Sequence, residues 1–177
     1  MVRRIPWAQE IVASTAPLPE TIADNNGGVW LQGKGNLGVR LERILRRALS
    51  YSEMAIAIGA DSPGLTLRLF EQARSRLQSA DAVFGPCEDG GFYLLGLRRC
   101  PPGLLDAIAW SRHDTLFQVR TRLRKFGLRS SFLLQRWFDV DRPDDLDRLE
   151  SLIASGQVVA PYTGTVLNRL KTAMGAK

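Results

Sequence analysis

The spacing of apolar residues changes character several times along the chain. Ile11 to Ser14 and Val29 to Leu31 predict two short strands, parted by the turn-forming run Asp24-Asn25-Asn26-Gly27-Gly28. From Leu37 the period becomes helical. Leu37, Leu41, Ile44, Leu45 and Ala48 share one face, and Arg40, Arg43 and Arg47 lie largely off it. Met54 to Gly59 is a continuous apolar run that predicts a strand buried on both faces, as in a parallel sheet, and Ala60-Asp61-Ser62-Pro63-Gly64 ends it.

The alternation then repeats. Leu69, Phe70, Ala73 and Leu77 predict a helix, Asp81 to Gly85 a strand, and Gly91 to Leu97 another strand broken by Cys100-Pro101-Pro102-Gly103. Thr115 to Phe126 reads as helix through Leu116, Val119, Leu123 and Phe126, and Ser131 to Leu134 as a further strand. Phe138 to Asp141 resembles a strand end entering a helix near Pro143, whose buried face is Leu146, Leu149, Leu152 and Ile153. Tyr162 to Lys177 adds a last helix in a C-terminal extension over 156–177. Strands alternating with helices of 10 to 15 residues imply an α/β fold with a mainly parallel sheet. No repeat or Pro/Gly-rich linker divides residues 1–177, so they form one domain.

Composition narrows the class. With 177 residues and 45% hydrophobic content, the chain can bury roughly 70% of its unfolded surface, which excludes a disordered tail or a disulfide-stapled miniprotein. Lys and Arg total 24 against 18 Asp and Glu, a net charge of +6. Seven cations lie between Arg112 and Arg136 with one acid, Asp114. Such a stripe suits a nucleic-acid surface, yet no recognised nucleic-acid module accompanies it, so this reading ranks behind a solvated helix face. Cys87 and Cys100 form neither a metal-type cluster nor a disulfide framework, and a reduced cytoplasmic setting with free thiols is expected. No stretch approaches the roughly 18 apolar residues of a membrane span, and Trp7, Gln9 and Glu10 stand where a signal peptide needs its apolar core.

Candidate chemistry falls where α/β sheets bind ligands, in the loops after strands. Gln32-Gly33-Lys34-Gly35-Asn36-Leu37-Gly38 lies between a strand and a helix, where glycines and free N–H groups suit a phosphate, although the spacing matches no nucleotide fingerprint. Asp61 follows the most buried-looking strand, placed either to hold Mg²⁺ or Mn²⁺ or to cap the next helix. Asp141, in Phe138-Asp139-Val140-Asp141, offers the same two roles, and Asp144 and Asp145 suit a first helical turn. Glu88-Asp89-Gly90-Gly91-Phe92-Tyr93 sets acids and paired glycines before a strand, and Trp110-Ser111-Arg112-His113-Asp114-Thr115 precedes a helix. His113 is the single histidine, and no G-x-S-x-G elbow supports a hydrolase around it.

Together these segments form a pattern. Q-G-K-G-N-L-G-V-R-L, I-G-A-D-S-P-G-L, G-P-C-E-D-G-G-F-Y-L-L-G-L, A-W-S-R-H-D-T-L and F-D-V-D-R-P-D-D-L occur in order over about residues 9 to 150. The chain closely resembles a bacterial family of glycosyltransferase-A-like proteins, some described as arsenosugar-biosynthesis glycosyltransferases. That family lies within the nucleotide-diphospho-sugar transferase superfamily, which also holds nucleotidyltransferases. The resemblance implies a three-layer α/β/α GT-A-like, Rossmann-like domain with a mainly parallel mixed sheet. It implies transfer of a glycosyl or nucleotidyl group from a nucleotide or nucleotide sugar, with Mg²⁺ or Mn²⁺ as cofactor. By the same resemblance, Gln32, Gly33, Gly35, Asn36, Gly38 and Arg40 contact the nucleotide, and Asp61 and Asp141 stand on the metal side. Asp89 is the catalytic candidate; Gly90, Gly91, Tyr93, Trp110 and Ser111 face the sugar or acceptor.

Two departures accompany the resemblance. Asn36 stands where relatives usually carry Asp, removing one charge beside the nucleotide. Relatives also open with a strand and a basic loop like P-x-x-G-x-V-K-T-R-L that grips the diphosphate, whereas Met1 precedes what resembles their second strand. The expectation is therefore an N-terminally truncated sheet with an unpaired edge. The competing reading is a non-catalytic remnant of such an enzyme.

Overall fold

The computed structural model describes residues 5–19 and 28–175. Apart from Gly28, the turn read at Asp24 to Gly28 lies outside them. Strands β1 (Val12–Ser14) and β2 (Val29–Leu31) pair in parallel, Val12 opposite Val29. Four more strands, β3 (Ala55–Ile58), β4 (Ala82–Pro86), β5 (Phe92–Leu97) and β6 (Ser130–Phe132), form a second sheet in the order β3-β5-β4-β6. In it β5 runs antiparallel to β3 and β4, and β6 runs parallel to β4. Strands β3, β4 and β6 therefore point one way, and their C-terminal ends share one edge.

The helices are α1 (Leu37–Leu49), α2 (Leu67–Leu77), α3 (Thr115–Lys125), α4 (Pro143–Ala154) and α5 (Pro161–Gly175). The alternation along β4 separates two cores. Ala82 and Phe84 face a cluster with Leu45 of α1 and with Val119 and Leu123 of α3. Val83 faces the opposite cluster with Leu69, Phe70, Ala73 and Leu77 of α2 and Leu149 of α4. This is the three-layer α/β/α architecture.

Three local expectations change. The Met54 to Gly59 run gives β3, an edge strand paired only with β5, and Ile58 is 41% exposed. The central strand is β4, whose Ala82, Val83 and Phe84 are fully buried. An unbroken apolar run cannot distinguish these cases, because a helix covering an edge strand selects the same residues. Phe138 to Asp141 forms no strand; the bridge between Cys87 and Trp137 lies just before it. In α4, Leu149 is buried and Leu146 is 39% exposed, so the buried face is narrower than the pattern suggested.

Asp81 pins the start of β4. Its carboxylate accepts the Arg129 N–H at 2.9 Å and pairs with Arg99 at 2.8 Å. These contacts, the Arg129 N–H first and the Arg99 guanidinium next, hold its carboxyl below the usual range. A depressed folded-state pKa contributes stability above the unfolded value and loses it as the folded group protonates. Asp81→Asn should therefore cost about 1 kcal/mol at neutral pH, read from urea midpoints. The difference from wild type should begin to shrink as pH falls below about 4 and be lost only below the lowered folded-state value.

Glu42 ties α1 to the turn after β5, its two oxygens accepting Gly103 N–H at 2.8 Å and Leu105 N–H at 3.0 Å. Glu42→Ala leaves both N–H groups unmatched and should cost about 2–3 kcal/mol. For a chain of this size that is a fall in melting temperature of roughly 4–10 °C by calorimetry.

Candidate active site

The chain builds its most chemically dense cluster at the edge where β3, β4 and β6 end. Cys87 follows β4 directly, Asp89 lies two residues on, and Asp139 enters from the segment after β6. One potential ligand atom from each lies within 4.8 Å of the others. Asp139 is half-buried and accepts the Ser62 hydroxyl at 2.6 Å, while the Cys87 thiol lies 3.5 Å from its second oxygen. Ser62 and Cys87 are both buried. Burial, then the neighbouring Asp139 carboxylate, pushes the Cys87 thiol well above its ordinary range, so it stays protonated near neutrality and donates to Asp139.

Main-chain hydrogen bonds hold this cluster. Val140 N–H donates to the Asp61 carbonyl at 3.0 Å and Glu88 N–H to the Trp137 carbonyl at 3.0 Å, joining the ends of three strands. The Trp137 indole donates to the Pro63 carbonyl at 3.0 Å. Outside the cluster, Arg148 grips Glu88 through two 2.7 Å hydrogen bonds while lying 4.1 Å over the Phe138 ring. Asp61 is exposed, and its carboxylate lies against the Cα of Gly59, where a larger residue would collide with it.

Two loops flank the cluster. Asp89 accepts the Gly91 N–H at 2.8 Å, which fixes its carboxylate at the mouth. Gly90 adopts φ +93° with its Cα against the His113 carbonyl, a place any Cβ would fill, and its own carbonyl accepts Leu116 N–H at 3.1 Å. Ser111, beyond Trp110, holds φ +57°, a backbone region that costs a residue with a Cβ about 1–3 kcal/mol. Trp110 packs edge-on against Phe92 at 6.1 Å and lies beside Gly38, so it joins this loop to the glycine-rich one.

The glycine-rich loop is a shaped entry to α1. Gly33 at φ +73° and Gly35 at φ +122° turn the chain, and Asn36 caps the helix by accepting Val39 N–H at 3.0 Å. Arg43 reaches back one helical turn and more to donate to the Gln32 and Lys34 carbonyls, the latter at 3.0 Å. The Gln32 side-chain amide donates to the Ala13 carbonyl at 3.0 Å, linking the loop to β1. Arg40 stays on the first turns of α1, its Nε 3.4 Å from the Asn36 carbonyl.

The sequence profile of a bacterial family described as uncharacterized proteins conserved in bacteria, DUF2064, matches residues 3–112. The chain belongs to this family. Among solved structures, the DUF2064 chain is similar to the "putative nucleotide-diphospho-sugar transferase" of Desulfovibrio desulfuricans G20, at 28% identity and a TM-score of 0.75. The match covers 92% of this chain and 74% of that one. No match is found among curated proteins. The fold expected from the resemblance, GT-A-like with a mixed sheet, is the fold of this DUF2064 chain.

In the DUF2064 chain, Asp89, Gly90 and Gly91 lie at the strand ends, and Trp110 links Phe92 at the start of β5 to Gly38 of the glycine-rich loop. Three expected participants lie outside the group. Tyr93 is 1% exposed, its ring packed on Gly85 and its hydroxyl donating to the Gln135 carbonyl at 3.1 Å, and burial pushes that hydroxyl up to about 12. Asp61 and Asp141 are both exposed, and neither belongs to the Cys87–Asp89–Asp139 group. Neither Asp61 nor Asp141 is a helix cap. Helix α2 begins six residues after Asp61 with Thr66 as its cap residue, and Asp145 accepts the N–H groups of Asp141 and Arg142 at 3.2 and 2.9 Å. Asp139, Cys87 and Ser62 escaped the sequence reading. Strand alternation would put Asp139 and Asp141 on the same face, so the pattern Phe138-Asp139-Val140-Asp141 does not single out Asp139.

Proposed function

We propose that this protein binds a nucleotide sugar or nucleotide at the edge formed by the ends of β3, β4 and β6, and transfers a glycosyl or nucleotidyl group to an acceptor. The observation that carries the reading is the meeting of the Asp89 and Asp139 carboxylates there, beside the Gly90–Gly91 turn. Ligands of open α/β sheets bind outside the carboxyl ends of strands, which is where this group lies.

The donor set fits a hard divalent cation. Two carboxylates, with the exposed Asp61 carboxylate nearby, suit Mg²⁺ or Mn²⁺, which take oxygen ligands and complete their shells with water and substrate phosphates. The protonated Cys87 thiol is a poor partner for such an ion and instead orients Asp139. When bound, the cation would neutralise charge on a leaving diphosphate.

The chain's own residues would do the rest. The N–H groups and positive-φ glycines of the Gln32–Gly38 loop would receive the nucleotide, with Asn36 supplying a neutral amide beside it and Arg40 and Lys34 supplying charge. Asp89, exposed and fixed by Gly91, would accept a proton from an acceptor hydroxyl. Trp110 and Ser111 would border the acceptor.

The test is calorimetric titration with a panel of nucleoside diphosphates and their sugar conjugates, with and without Mn²⁺. Binding that needs Mn²⁺ is expected for at least one nucleotide. Absence of binding across the panel would overturn the reading, and metal-independent binding would remove the cation from it.

A further inference from the structure

We propose that a two-part groove between α1 and the turn after β5 binds an amphiphilic anion. Its phosphate-type head would lie against Arg46 and Arg47, and its apolar body over Leu49, Phe126 and Leu128. The groove begins beside the glycine-rich loop, where Val39 and Arg43 line it, and runs away from it along α1: Arg46 lies ten residues from Asn36, about 15 Å at the helical rise.

The first part is a concavity of about 610 Å³ with Arg43, Arg46 and Arg47 along one wall. Its acids, Glu42 and Asp106, already accept main-chain N–H groups, Glu42 through both oxygens and Asp106 from Ala107 at 2.9 Å. Arg43 is engaged by the glycine-rich loop, and Arg47 lies 4.1 Å over Trp30 with its charge still available. The exposed Arg46 guanidinium makes no hydrogen bond or ion pair among the described residues. Its position near the C-terminus of α1 accounts for part of its placement, but the helix end offers only about half a unit charge of opposite sign.

The second part, about 550 Å³, shares Arg46 with the first. Its character is different. Leu49, Pro101, Phe126 and Leu128 make it mainly apolar, and Phe126 stays 39% exposed with Arg122 stacked on it. Arg99, the other cation on this rim, is paired with Asp81. Each part is of ligand size, and the common wall is the free guanidinium. Charge on one side and exposed apolar surface on the other match a molecule with one anionic end. A free organophosphate and a phospholipid headgroup share that chemistry, and the concave shape favours the free molecule.

Octyl phosphate below its micellar concentration is the probe, with inorganic phosphate and phosphatidylglycerol vesicles as comparisons. Calorimetry should show one octyl phosphate bound per chain, with inorganic phosphate at least about tenfold weaker because it lacks the apolar contact. Arg46→Gln and Arg46→Glu should each weaken octyl phosphate at least about tenfold, the loss expected for a charge-assisted hydrogen bond. Because Arg46 is exposed and unpaired, both variants should melt as wild type does. Amide shifts on binding should map to residues 46–50 and 99–106. Affinity unchanged by both substitutions, or equal affinity for inorganic and octyl phosphate, would overturn the proposal. So would sedimentation with vesicles that octyl phosphate does not compete. Nucleotide plays no part in these measurements, so failure of the transferase reading would leave them standing.

Discussion

Asp139→Asn should abolish the metal-dependent part of nucleotide binding. In wild type, Mn²⁺ with a nucleoside diphosphate at about 100 times its dissociation constant should add about 2.7 kcal/mol of stability. For a domain of this length that raises the melting temperature by roughly 5–10 °C. Asp139 is the most constrained carboxylate at the edge, oriented by the Ser62 hydroxyl and the Cys87 thiol together. Asparagine keeps the shape and still accepts the Ser62 hydroxyl, but it removes the charge a hard cation needs. The expected pattern is a shift that falls to its metal-free level in Asp139→Asn and declines in Asp61→Asn. Asp141→Asn should keep the wild-type shift, because Asp141 stands outside the group. Equal shifts in wild type and Asp139→Asn would show that this carboxylate holds no metal. Loss of the shift in Asp141→Asn alone would return the metal to the position implied by the family resemblance.

Gly90→Ala should be the most damaging single methyl group near the site. The new Cβ would overlap the His113 carbonyl, and φ at this position is +93°. Backbone in that region costs about 1–3 kcal/mol for a residue with a side chain, and an overlap against rigid main chain adds about 1–3 kcal/mol. A combined loss of about 3 kcal/mol or more corresponds to a melting temperature lower by roughly 6–12 °C. The alternative is that the turn opens to admit the methyl group, which displaces Asp89. Differential scanning calorimetry separates these outcomes from tolerance: a variant melting within a degree of wild type would show that the two loops are not in contact in solution.

Much of the architecture could be read from periodicity, because burying helix and strand faces leaves a strong trace. The helices from Leu37, Leu69 and Thr115 and the strands at Asp81 to Gly85 and Gly91 to Leu97 all recur within a few residues of expectation. What periodicity could not carry was the order of strands. The position of β3 at an edge and the reversal of β5 depend on non-local pairing that no local pattern encodes. The site was legible in its loops and less so in its side chains. Asp61 and Asp141 stand out in sequence because turn residues surround them, whereas Asp139 is set between Phe138 and Val140 and looks like strand. Cys87 lacked a histidine or a second cysteine nearby, the usual sign of a working thiol. Its neighbours are an aspartate 52 positions away and a serine 25 positions away that reaches the same carboxylate. Tyr93 carried the opposite bias, since a tyrosine after paired glycines suggests a ligand contact and its ring in fact fills the space left by Gly85.

The contact between Gly90 and the His113 carbonyl has a mechanical consequence. With Leu116 N–H also bonded to Gly90, and Glu88 N–H to Trp137, the walls around Asp89 and Asp139 are clasped together as one rigid jaw. The Gln32–Gly38 loop is tied as well: it turns at Gly33 and Gly35, Arg43 holds its Lys34 carbonyl, and Gln32 bonds to Ala13 of β1. Gly38 closes it tightly against Leu105 and Trp110. Walls clasped in this way need no rearrangement on binding: Asp89 and Asp139 would meet a ligand in the positions they already hold.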